Sequence, residues 1–178
     1  MKRHTGRLVR AALAASLITG SAASAAQPVA TPCLQPREAE DLVLFVLPSL
    51  VDAMRRKCGP MLPAGAILTR SGGEIASRYR TDSDAAWPSA RIAFTKISGG
   101  QPLSFLSDEL NRKIIEEASS AAIVANLKAK DCMVIDRFMG ALEPLPARNV
   151  AQLVGLFLEL GASEGKAPMN ICRAGTPR

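Results

Sequence analysis

Four cysteines, Cys33, Cys58, Cys132 and Cys172, are the residues of this 178-residue chain whose type most directly implies chemistry. A redox centre needs two thiols within one turn, and a four-thiolate zinc site usually uses Cys-x-x-Cys clips. None of the four is spaced that way. An even set without clips is best used as two structural disulfides, which requires an oxidising compartment. The other candidates are carboxylates. Glu109, Glu116, Glu117, Asp131 and Asp136 lie within a short stretch, and two carboxylates a few ångströms apart divide acid and base work as glycosidases do. Glu109, Glu116 and Glu117 fall mainly on the polar side of a candidate helix, where solvation already accounts for them.

The only histidine is His4, and its position decides its relevance. Residues 1–10 carry four cations (Lys2, Arg3, Arg7, Arg10) and no acid; an apolar run from Ala11 to Gly20 follows, and then Ser21-Ala22-Ala23-Ser24-Ala25. Small residues at Ala23 and Ala25 suit a signal peptidase, and a cut after about Ala25 is expected. The apolar run is about half of the ~20 residues a spanning helix needs. No arginine pair precedes it, and Thr31-Pro32 before Cys33 does not fit a lipid-modified cysteine. The expectation is a signal peptide at 1–25 and one helical domain at 26–178, without a stable membrane anchor, periplasmic or secreted.

Removing the leader changes the composition. The charge falls from +6 to 18 basic against 16 acidic residues, or +2, too small and too scattered for a nucleic-acid footprint. No histidine remains, which excludes imidazole-based triads, histidine-bearing zinc or copper sites and the Cys-x-x-Cys-His haem motif. No cofactor and no metal site is expected.

About 153 residues suffice for one domain burying roughly 68–70% of the unfolded chain's surface. Only 4% of residues are aromatic, and Ala, Leu, Ile and Met supply most of the apolar mass. The predicted class is therefore all-α: a single-domain bundle of about five to six helices tied by two disulfides. The first helix opens at Pro36 with Glu38, Glu40 and Asp41, runs through an apolar centre, and closes with Arg55-Arg56-Lys57 before Gly59-Pro60. Pro48 should kink it. The basic triplet reads as an anion site or, more simply, as a solvated last turn. A second helix is expected over 63–80, with Gly72-Gly73 as a weak spot; a phosphate loop there lacks its Lys-Ser/Thr. Thr81-Asp82-Ser83-Asp84 should cap a third helix, carrying Trp87, Ile92, Ala93 and Ile97 to Gly99-Gly100.

Tyr79 and Trp87, with Arg78, Arg80 and Arg91 near them, are the candidate binding residues: rings beside cations build a recognition surface. The same rings can fill a core edge with a wet polar tip. A fourth helix should open at Ser107-Asp108 with Leu106, Leu110, Ile114, Ala118, Ala121 and Ala125 as its core face, and Asp108/Arg112 and Glu109/Lys113 as surface pairs. A fifth, from Asp131, has Val134, Ile135, Phe138, Met139 and Leu142 at core spacing. The sixth, 147–160 and closed by Gly161, is apolar nearly all round, hence either central or covered by a partner. From about 162 the tail reads as irregular.

If residues 36–57 form one helix, its ends lie about 33 Å apart, whereas bridged Cα atoms lie within roughly 7 Å. Cys33 then cannot pair with Cys58, nor, in a two-bridge set, Cys132 with Cys172. Alternating six helices up and down brings Cys33 to Cys132 and Cys58 to Cys172, the expected pairing. The functional expectation is a non-enzymatic binding module, either an adaptor or inhibitor for an envelope protein or a carrier of a small apolar ligand. A carboxylate-dependent hydrolase of the envelope is the alternative.

Overall fold

Helix α1 (Pro36–Cys58) organises the protein. Pro36 supplies a preset φ at the first helical position, and the Glu38 carboxylate accepts from the Gln35 amide at 2.9 Å, satisfying a donor that the helix leaves open. Arg55, Arg56 and Lys57 occupy the last turn, where the macrodipole favours cations. Between them, Leu42, Leu44, Phe45, Val46, Leu47, Pro48 and Val51 are all buried, so α1 is wrapped and central, as its sequence implies. The helix runs on through Pro48. This computed structural model describes residues 32–99 and 106–172, which fall in one compact unit spanning 31–178. The expected signal peptide and its expected cut after Ala25, residues 100–105 and the last six residues lie outside the described residues.

Three long helices pack on α1. A 3₁₀ turn (Gly59–Met61) and the four-residue α2 (Ile67–Arg70) lead into α3 (Gly72–Ile97), which returns antiparallel: Arg80 meets Asp52, Ser83 meets Phe45 and Lys96 meets Glu38. Helix α4 (Asp108–Ala125) runs parallel to α1, with Arg112 over the Phe45 ring and Ser49 reaching the Glu116 carbonyl. A second 3₁₀ turn (Ala129–Asp131) and α5 (Cys132–Leu142) follow at the Cys58 end, and α6 (Ala147–Ser163) returns along α1. Close approach of α6 needs Gly155, because a Cβ there would lie 2.8 Å from the Glu40 Cγ. The described residues are thus all-α, six helices joined by two disulfides.

The disulfide pairing differs from the expected one. Cys33 bonds Cys172 and Cys58 bonds Cys132, with Cα separations of 5.0 and 5.4 Å. The exclusion of Cys33–Cys58 holds; the choice between the two remaining pairings does not. The cause is parity. The expected second and third helices are almost entirely one element, α3, so the chain makes one pass fewer before α5 and delivers Cys132 to the Cys58 end. The cap foreseen at Thr81-Asp82-Ser83-Asp84 never forms. Ser83 is buried, and its hydroxyl donates to the Phe45 carbonyl at 2.7 Å instead of to a helix start. The expected break does occur at Ser71, immediately before Gly72-Gly73.

Helix α6 also ends later than Gly161. The Lys166 amide bonds the Gly161 carbonyl and the Gly165 amide bonds that of Ala162, with Gly165 at φ +69°, a Schellman stop about one turn beyond the predicted one, at Gly165 in place of Gly161. The tail beyond is ordered by a parallel bridge of Leu34 with Ile171, made by Leu34 N–H to the Asn170 carbonyl and Cys172 N–H to the Leu34 carbonyl, both 2.8 Å.

Candidate functional site

Of the predicted ring-and-cation set, Tyr79 and Trp87 are buried and Arg78 and Arg80 are exposed. Tyr79 is buried, and its hydroxyl donates to the Leu145 carbonyl at 3.2 Å, pinning the α5–α6 turn. Arg78 lies over the Tyr79 ring and donates to the Glu143 carbonyl, while Arg80 turns to Asp52 on α1. Trp87 is buried against Phe45, ring centroids 4.9 Å apart, and its indole N–H donates to Asp108 at 2.7 Å. The two rings help hold the bundle together, as the core-edge reading has it, while the Arg78 and Arg80 side chains stay exposed beside them.

Three of the candidate carboxylates have separate partners. Glu116 pairs with Arg112 at 3.4 Å, Asp131 accepts from the Lys128 amide at 2.9 Å, and Asp136 accepts from the Leu68 amide at 2.8 Å, capping α2 from another helix. Asp108 reaches Arg91 and Trp87, and Arg112 reaches Asp84, so the expected pair Asp108/Arg112 is replaced by bonds between helices. Burial opposes the Arg112 charge, but the hydrogen bond and the field of Asp84, with Glu116 behind them, outweigh it and raise its pKa. Among the described residues no three His, Cys, Asp or Glu side chains gather as a metal site.

What the structure does place outward is apolar. On α6, Leu156, Phe157 and Leu160 are 56, 59 and 62% exposed, so this helix is peripheral, with one flank against α1 and the other in water. On α5, Met139 and Leu142 are buried as expected, but Val134 and Phe138 are exposed beside Met133. On α4 the expected face is reversed: Leu110, Ile114, Ala118, Ala121 and Ala125 face outward, and Asn111, Ile115, Ser120 and Val124 face α1. Ser120 can be buried because its hydroxyl donates to the Glu116 carbonyl at 2.8 Å.

Between α4 and the second half of α1 lies an open groove of about 390 Å³. Ala53, Ser120 and Val124 are buried in its floor; Arg56 and Lys57 stand on one lip, and Glu117, Ala121 and Ala125 on the other. Arg55 is engaged by Asp52 at 3.4 Å, whereas neither Arg56 nor Lys57 has an ion pair among the described residues. Sequence reasoning noted the basic triplet but had no signal for the groove, which depends on the turn of α4. No helix among the described residues is long and apolar enough to cross a membrane. No protein-family model, curated protein or solved structure matches the chain.

Proposed function

We propose that the chain is exported, loses residues 1–25, and works in the periplasm or outside the cell as a non-enzymatic helical binding module for a partner protein. The observation that carries this reading is the outward face of α6. Leu156, Phe157 and Leu160 follow one another at the i, i+1 and i+4 positions of a helix packed through its other flank, so they form a continuous apolar strip. A single exposed leucine is ordinary, but three adjacent large ones are a surface that another protein covers. Full burial of such a side chain contributes about 1.5–3 kcal/mol, and the exposed fraction here leaves roughly 1–2 kcal/mol each for a partner to gain. An open strip suits a protein partner better than an enclosed apolar ligand.

The two disulfides are compatible with an oxidising compartment. Amino-terminal sequencing of protein from the source cells should begin near Ala26. A photo-activatable benzophenone residue in place of Phe157, irradiated in those cells, should give a discrete protein adduct that the same probe in place of Arg148 does not. Equal labelling from both positions would remove the support for the reading.

A further inference from the structure

We propose that the groove between α1 and α4 receives an acidic amphipathic helix of the partner protein, an assignment that rests on the binding reading above and specifies one of its surfaces. Shape is the first ground. Helices α1 and α4 run side by side in the same direction, keeping step from Phe45/Arg112 through Ser49/Glu116. The channel between two such helices is the kind of groove in which a third helix packs. Its floor is made of small side chains, Ala53 and Ser120 with Val124, so a bulky residue of the incoming helix can seat close to both backbones. Ala121 and Ala125 belong both to the groove and to the outward stripe with Leu110 and Ile114, which extends the apolar contact beyond the groove along α4.

Charge is the second ground, and it selects the occupant. Arg56 and Lys57 stand exposed on the α1 lip without an ion pair among the described residues, beside an Arg55 that has one. Carboxylates on one edge of the incoming helix would complete them, at a rim where charge chiefly sets partner choice and orientation. Glu117 on the opposite lip repels an acidic edge and so fixes which way round the helix lies. An acyl chain would leave much of its length wet in a groove that is open along its side, and it has no use for two lips of opposite charge.

The test uses the full chain in its source cells. A benzophenone residue replaces Ala121, separately from the one at Phe157, and the cross-linked peptides are sequenced. The groove assignment predicts that the Ala121 adduct is a segment of another protein with apolar residues at helical spacing and at least two Asp or Glu on one edge. Arg56→Glu with Lys57→Glu should lower that adduct at least tenfold, and Arg56→Gln with Lys57→Gln, which disturbs the helix end less, should lower it several-fold. Circular dichroism melts of both variants check the fold, and the Phe157 adduct should persist. An Ala121 adduct that is a lipid, a second copy of this chain or a segment without acidic residues overturns the assignment, as does an adduct indifferent to both charge variants. No adduct at Ala121 beside a specific one at Phe157 overturns the groove alone; none at either position overturns the binding reading with it.

Discussion

Ser83, on α3, donates its hydroxyl hydrogen bond to the carbonyl of Phe45, on α1, at 2.7 Å, inside the core. This one bond replaces a helix cap and lets α3 run unbroken from Gly72 to Ile97. Ser83→Ala should therefore cost about 1 kcal/mol, the net contribution of a typical buried hydrogen bond. The melting temperature should fall by about 2–4 °C. An unchanged melt would mean that water satisfies the Phe45 carbonyl equally well.

Neighbouring isoleucines on α4 give a sharper contrast. Ile115 is 2% exposed and Ile114 is 40% exposed. Ile115→Ala should destabilise by about 2–5 kcal/mol, as emptying a core site does, while Ile114→Ala should stay within roughly 0.5 kcal/mol in urea unfolding. The opposite ranking would mean that α4 presents its other face to α1.

Asp136 serves as a helix cap for a helix it does not belong to. Asp136→Ala removes the acceptor for the Leu68 amide and should cost about 1 kcal/mol, whereas Asp136→Asn keeps an oxygen there and should cost less. Hydrogen exchange at the Leu68 amide is the discriminating readout: it should accelerate in the alanine variant while amides in the middle of α1 change only with global stability.

Peptide mapping of unreduced protein should recover Cys33 joined to Cys172 and Cys58 joined to Cys132. The bridges span 139 and 74 residues, so loop entropy alone separates their contributions by only about 0.5 kcal/mol. Burial decides the order. Cys58 and Cys132 are both fully enclosed, so Cys58→Ala with Cys132→Ala adds two small voids and should be the more costly pair, within the usual range of about 2–5 kcal/mol.

Much of the fold is legible in local chemistry, and the errors arise where local chemistry yields to packing. Pro36, Glu38 and Arg55-Arg56-Lys57 mark the ends of α1 correctly because caps and dipole charges act within a turn. Ser107 likewise caps α4, accepting from the Leu110 amide at 3.3 Å. Thr81-Asp82-Ser83-Asp84 has the same composition as a cap, but its fate depends on Phe45, far away in sequence. On α4 the most apolar stripe is the exposed one, because the Ser120 hydroxyl donates to the Glu116 carbonyl and the Asn111 side-chain NH2 to the Leu106 carbonyl, which lets these polar residues take buried positions. Hydrophobicity counted along a helix does not register that exchange. The groove at Arg56 and Lys57 follows from it and was equally out of reach.

The Cys33–Cys172 bond, reinforced by the Leu34–Ile171 bridge, closes residues 33–172 into a covalent ring. A single peptide cut inside that ring, for instance in the exposed Pro63-Ala64-Gly65 turn, opens it without dividing it, so both sides of the nick stay on one molecule. Such a protein can be clipped by the proteases of its surroundings and remain one particle, with every helix still tethered to its neighbours.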